Sequence, residues 1–236
     1  MPRSTHSLAA RVAVIAGAAL PLTLGACGAD TESPAAPPAA AQERSTERPR
    51  PGRAPERQGE IRWRQSIAVG SPTAGRLIRG VQLPARGARF STWDPNLRRS
   101  PNRGWRRWGT NRLVRLLVAV AREYRAAHPR ARPLLIGDLS RPHGGNFGRQ
   151  FGYVWHASHQ NGLDADIYLP RRDRARRAPS TAADIDRRLS QDLVDRFVRA
   201  GATKVFVGPN TGLTGPPEVV QVLVDHDDHL HVRIAP

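Results

Sequence analysis

From about residue 61 the chain carries two hydrophobic periods, one of helices and one of strands. Ser66 to Pro84, SIAVGSPTAGRLIRGVQLP, breaks into short apolar runs separated by Gly and Pro, the pattern of short strands joined by turns. A 3.6-residue period follows, with Leu113, Leu116, Leu117, Val120 and Tyr124 on one face. It predicts a helix capped by Thr110 or Asn111, running to His128 and stopped by Pro129. Pro133 to Leu139, PLLIGDL, reads as a buried strand, and the Gly-rich loop RPHGGNFGRQFGYVWHASHQNG leads into LDADIYL. Strict alternation there sets Asp164, Asp166 and Tyr168 on one face and Leu163, Ala165, Ile167 and Leu169 on the other, as in a strand with one face in the core. A second helix is expected from Ala182 to Ala200, with Ile185, Leu189, Leu193 and Phe197 inward and Gly201 as its stop. Lys204–Val207, Val219–Val224 and a closing strand, His229–Ile234, complete the set. Helices and strands do not alternate regularly, so the expected class is α+β, a small antiparallel sheet flanked by helices.

No repeat and no second break in composition divides residues 61–236, which are read as one domain. Before it, residues 1–27 run from a basic start (Arg3, Arg11) through an apolar stretch, Val12 to Leu24, to Leu-Gly-Ala-Cys. This is the order of an export signal, and the apolar stretch is too short for a permanent membrane helix. The segment resembles the lipobox of bacterial lipoproteins. That resemblance implies lipidation of Cys27, a membrane partner through the attached lipid and, with Gly28 next, a periplasmic protein on the outer membrane. Residues 28–60 are Ala, Pro, Glu and Arg with hardly a large apolar side chain, a composition that cannot offset its own ordering entropy and is expected to be a disordered tether. The domain itself has no cysteine, hence no disulfide.

The formal net charge is +17, and Lys204 is the sole lysine among 37 basic residues. Such a charge suits an acidic partner. Behind an export signal the polyanions at hand are the cell-wall polymer and membrane lipids, so no nucleic-acid partner is expected. The run RRDRARR, 171–177, reads first as a solvated loop and second as a contact for cell-wall or lipid phosphate groups.

Histidine is where the chemistry gathers. Of eight histidines, five fall in HASHQNGLDAD (His156, His159) and DHDDHLHVRI (His226, His229, His231), each beside aspartates. On the last strand a period of two sends His229, His231 and Arg233 to one face. Imidazole nitrogen with carboxylate oxygen is a normal ligand set for catalytic zinc, which keeps three protein ligands and an open position for water. The HExxH signature is absent, and after residue 60 the only glutamates are Glu123 and Glu218, so the base must be His or Asp. His143 and His128 stand alone and read as structural or solvated; Trp93, Trp105 and Trp108 read as packing residues, and Trp155 is placed near the cleft.

His159-x6-Asp166 followed by His229-x-His231 resembles the zinc peptidases of bacterial cell-wall peptides, the lysostaphin and D-alanyl-D-alanine metallopeptidase group. SPTAGRLIRGVQLP, WGTNRLV, IGDLSRPHGG, HASHQNGLDADI and DHDDHLHVRI are similar, in order, to segments of the penicillin-insensitive murein endopeptidase family across roughly residues 70–234. The resemblance implies a zinc site on the sheet face with His159, Asp166 and His231 as ligands. It implies His229 as general base or oxyanion partner, His226 and His156 as further active-site histidines, and a peptidoglycan substrate. Ser140 and Arg141, in the loop motif before the ligands, fall where a substrate carboxylate could be held, and His156 with Asp164 would suit a second ion. No Ser-x-x-Lys occurs, in keeping with insensitivity to penicillin. A zinc D,D-carboxypeptidase and a non-catalytic cell-wall-binding lipoprotein are the alternatives.

Overall fold

In the computed structural model, which describes residues 59–148 and 156–236, each of the two α-helices described starts where a side chain takes up a free backbone N–H. Helix α1 (Asn111–Ala127) is capped by Thr110, whose hydroxyl accepts from the Leu113 N–H at 3.2 Å. Helix α2 (Arg187–Arg199) is capped by Asp186, which accepts from the Leu189 N–H at 3.0 Å. That cap corrects the expected start at Ala182: residues Ala182–Asp184 form a separate 3-10 turn, because Asp186 halts the helix from extending backward. The expected export segment 1–27, the tether to residue 58 and Trp155 lie outside the described residues.

Among the described residues, ten strands form three sheets. A hairpin joins β1 (Ile67–Ser71) to β2 (Ala74–Ile78), and β3 (Val81–Gln82) pairs with β5 (Trp108–Gly109). The main sheet adds β4 (Phe90–Thr92), β6 (Leu134–Ile136), β7 (Asp164–Tyr168), β8 (Ala202–Val207), β9 (Val220–Val222) and β10 (His229–Ile234), in the order β4-β6-β7-β10-β8-β9. The expectation of a small antiparallel sheet holds for its centre and is corrected at its edges. The central β6, β7, β10 and β8 are antiparallel, but both edge pairs, β4 with β6 and β8 with β9, are parallel. The chain returns to β4's side of the sheet only after crossing through α1, and a crossover of that kind delivers a parallel neighbour.

One face of the central strands belongs to the core. Ala165 and Ile167 of β7 and Leu230, Val232 and Ile234 of β10 pack with Leu113, Leu117 and Val120 of α1 and Leu193, Val194 and Phe197 of α2. The opposite face carries the polar residues in register: His229 opposite Tyr168, His231 opposite Asp166, Arg233 opposite Asp164. Side chains directly opposite in an antiparallel pair share a face and nearly touch. Every residue of β7 is nonetheless buried, on both faces, because the loop carrying His156 and His159 covers its polar side.

Candidate functional site

The covering loop is fixed by backbone contacts that tolerate no side chain at Gly144. This glycine has φ +71°, and a Cβ there would lie 2.1 Å from the Gln160 carbonyl oxygen. The next residue, Gly145, donates its N–H both to that carbonyl (2.8 Å) and to Gly75 O (3.1 Å), tying the loop to β2. Held in this way, His159 adopts φ +69°, a conformation rare for a residue with a side chain, and its ring is driven fully inward.

Hydrogen bonds then decide which nitrogen of each ring is bare. His159 Nδ1 lies 2.7 Å from the Leu139 carbonyl, which can only accept, so Nδ1 carries the proton and Nε2 faces the site. His231 Nε2 donates to Asp164 Oδ1 at 2.8 Å, and the same oxygen accepts from Arg233 Nε at 2.6 Å. His231 Nδ1 therefore faces the site. His159 Nε2 and His231 Nδ1 each stand 3.2 Å from Asp166 Oδ1 and 3.2 Å from one another. Asp166 Oδ1 is buried and makes no hydrogen bond. Three acceptor atoms thus meet in a triangle, and such a triangle needs positive charge at its centre. Four ligands around zinc at about 2.0–2.1 Å in a tetrahedron stand roughly 3.3–3.4 Å apart, so the triangle has the dimensions of one face of that polyhedron.

Electrostatics agree with the geometry. Burial opposes charge on the Asp166 carboxylate, but the surrounding imidazoles hold its pKa well below the usual range. Burial would lower the His231 pKa, yet the hydrogen bond to Asp164 and the neighbouring Asp166 carboxylate raise it to about 9. Burial lowers the pKa of His159 and keeps that ring a neutral donor of its lone pair.

A second layer holds His156. Its Nε2 lies 2.7 Å from Asp138 Oδ2, and its Nδ1 is 3.8 Å from Asp166 Oδ2. Asp138 is fully buried and also accepts from Arg106 Nε (2.6 Å), Arg106 Nη2 and Asn102 Nδ2 (2.8 Å). Burial would raise its pKa, but Arg106 and His156 hold it at about 2. Phe147 packs edge-on against His156 at 5.0 Å between centroids and covers Arg106. His156, His159 and Asp166 also bring one ligand atom each within 4.8 Å of the others, a wider group than the 3.2 Å triangle.

At the open side His229 Nδ1 bonds Asp228 Oδ1 at 2.6 Å, leaving Nε2 3.9 Å from Asp166 Oδ1. His226 Nδ1 donates to Val224 O at 2.7 Å, and its ring lies 4.7 Å from that of His229. Burial lowers the His226 pKa, whereas on His229 burial is outweighed by the Asp228 hydrogen bond together with the charges of Asp166 and Asp228, and the pKa is raised.

The fold therefore gathers the five clustered histidines, Asp166 and Asp164 around one point. It sets His156 beside Asp138 and Asp166, with Asp164 engaged by His231 and Arg233 instead. Ser140 is fully buried with its hydroxyl unpartnered, and Arg141 lies nearer the surface, donating to Asn146 O. Trp93 is buried against Tyr168, and Trp105 stacks on Arg106 and Phe147. Sequence reasoning missed Asp138, Arg106, Asn102 and Asp228 as site-forming residues. The one signal available was an aspartate, Asp138, inside the apolar run PLLIGDL.

An α+β fold that presents two histidines and an aspartate with bare ligand atoms in a buried triangle defines a protein with a group able to hold a metal ion. The family model of penicillin-insensitive murein endopeptidases matches residues 68–209, and the chain belongs to that family. The match covers His156, His159 and Asp166 and ends before β10. A penicillin-insensitive murein endopeptidase of Haemophilus influenzae is 34% identical to this chain over 101 residues, which is 43% of this chain and 30% of the relative. The matched stretch is thus under a third of that relative's length.

Proposed function

We propose that this chain is a zinc-dependent murein endopeptidase that hydrolyses D-alanyl-diamino acid cross-links of peptidoglycan. The observation that carries this reading is the 3.2 Å triangle of His159 Nε2, Asp166 Oδ1 and His231 Nδ1, three lone-pair atoms with no proton left to share among them once the rings are neutral. Family membership supports the substrate. The tighter spacing of this triangle favours His231 over His156 as the third ligand. Zinc held by His159, Asp166 and His231 would supply Lewis acidity toward the scissile carbonyl and would lower the pKa of a water to about 7.

The other residues divide the proton work. His226, held neutral by burial, presents a bare Nε2 and serves as the base. His229, whose pKa is raised despite burial by Asp228 and Asp166, turns its Nε2 toward the site, where in its protonated form it stabilises a developing oxyanion and then protonates the leaving amine. Two neighbouring rings with pKa values displaced in opposite directions are a standard division into base and acid. Leu139 O and Asp164 keep the ligand rings from turning, and Asp138 does the same for His156. The N-terminal sequence supports an exported protein, lipid-anchored through Cys27 in the periplasm, on the outer membrane.

Purified sacculi and isolated cross-linked muropeptides incubated with the full chain test the reading. Dimers should turn to monomers, stop doing so on chelation, and resume when zinc is restored. Release of free D-alanine with cross-links intact would favour a D,D-carboxypeptidase. Sacculus binding without any bond cleaved would leave only a binding protein.

A further inference from the structure

A cavity of about 1370 Å³ is lined by ten arginines against one carboxylate, Asp186; none of the five clustered histidines lines it, and it meets their site at Tyr168. Asp186 is already engaged as the cap of α2. The walls come from separate parts of the chain: the arginine run 171–177, the segments flanking β4, the residues between α1 and β6, and the first turn of α2. Trp93, Leu134, Leu135 and Tyr168 form an apolar floor. Tyr168 is shared with the site, its ring 5.7 Å from that of His229. A linear molecule whose scissile bond lies at His229 would enter the cavity past Tyr168.

Some of these guanidinium groups have structural partners. Arg171 is paired with Asp173 and Asp184, and Arg132 donates to Arg174 O. Others do not: Arg86, Arg99, Arg130, Arg176 and Arg188 are exposed and make no ion pair among the described residues. Unpaired cations crowded around one concavity repel one another and lower the cost of bringing in an anion. The planar guanidinium forks match carboxylates in a two-point geometry, and the apolar floor suits a peptide backbone with small side chains.

We infer that this cavity is a binding site for the carboxylate-bearing peptide stems of the polymer, flanking the bond cleaved at the histidine cluster. The identity of the polymer rests on the murein endopeptidase reading; stem peptides of murein carry free carboxylates on their acidic and diamino residues. The arginine run 171–177 thereby acquires a role as one wall of a substrate groove.

The test is co-sedimentation of the full chain with purified sacculi in the presence of chelator, so that binding is read without hydrolysis. Wild type is compared with a triple charge reversal, Arg99→Glu, Arg130→Glu and Arg176→Glu, and with the same three positions changed to Gln. Thermal melting followed by circular dichroism certifies that each is folded, and the Gln variant carries the test if the reversal is not. Reversing three exposed charges together should weaken binding about tenfold at low salt, with the gap closing at high salt. Sacculi whose carboxylates have been amidated with carbodiimide should bind wild type and variants alike. Equal binding of all variants to untreated sacculi overturns the inference. So does a gap that survives amidation, or a gap that appears only on phosphatidylglycerol vesicles, where phosphate is the anion. Because chelator is present throughout, a failure to cut cross-links would count against the proposed function and leave this result standing.

Discussion

Replacing Asp138 by Asn removes the charge that neutralises Arg106, a guanidinium with no accessible surface. Two routes give the size of the effect. The Asp138 pKa falls from 3.8 to about 2 on folding. That is close to two pH units at about 1.4 kcal/mol each, or roughly 2–3 kcal/mol of stability. Leaving a buried charge without its partner costs about 3–5 kcal/mol. At pH 7 Asp138→Asn should therefore lose ~3–5 kcal/mol, measured by urea unfolding of the metal-free protein. The sign of the pH dependence follows from the depressed pKa. The ionised carboxylate contributes its full stability above the unfolded value of 3.8, and this is lost as pH falls through about 2. The difference between wild type and variant should shrink across that window while other carboxylates titrate in both. Arg106→Leu combined with Asp138→Leu should be more stable than either single change, since the double variant buries no unpaired charge. A loss under about 1 kcal/mol for Asp138→Asn at pH 7, or single losses that simply add in the double variant, would refute the buried pair.

Other perturbations separate site from scaffold. Gly144→Ala meets backbone at Gln160, Leu77 and Arg76 from a positive-φ position, and should cost more than about 2 kcal/mol in chemical denaturation while loosening the loop that carries His159. His229→Ala should abolish cross-link hydrolysis with zinc content unchanged by elemental analysis, because its Nε2 stands outside the ligand triangle. Phe197→Ala, emptying a fully buried site between α2 and the sheet, should lose about 3–5 kcal/mol of stability and leave zinc affinity of the folded protein unaltered, read by competition with a chromophoric chelator.

How far the sequence carried depends on the range of the interactions involved. The closing strand His229–Ile234 and helix α1 were legible because alternation and a 3.6-residue period are local, and both ends of α1 are marked by Thr110 and Pro129. The two faces of β7 were legible for the same reason. That its polar face is buried was not, since the cover comes from a loop whose path depends on Gly144 meeting Gln160 and Leu77. The parallel edges of the sheet escaped because strands of three residues carry no period to read; their direction is set by the connections. The clustered histidines announced themselves by composition. Arg106 did not, because nothing local distinguishes the one arginine buried against Asp138 from the many at the surface.

The most direct measurement of the ligand set is X-ray absorption at the zinc K-edge of the zinc-loaded full chain, with Asp166→Asn and His156→Ala alongside. Expected is one zinc per chain, with two imidazoles and oxygen ligands at about 2.0–2.1 Å, a spectrum unchanged in His156→Ala, and loss of the ion in Asp166→Asn. A zinc shell with three imidazoles that loses one in His156→Ala, or a chain that binds no zinc, would contradict the assignment of His159, Asp166 and His231 as the metal ligands.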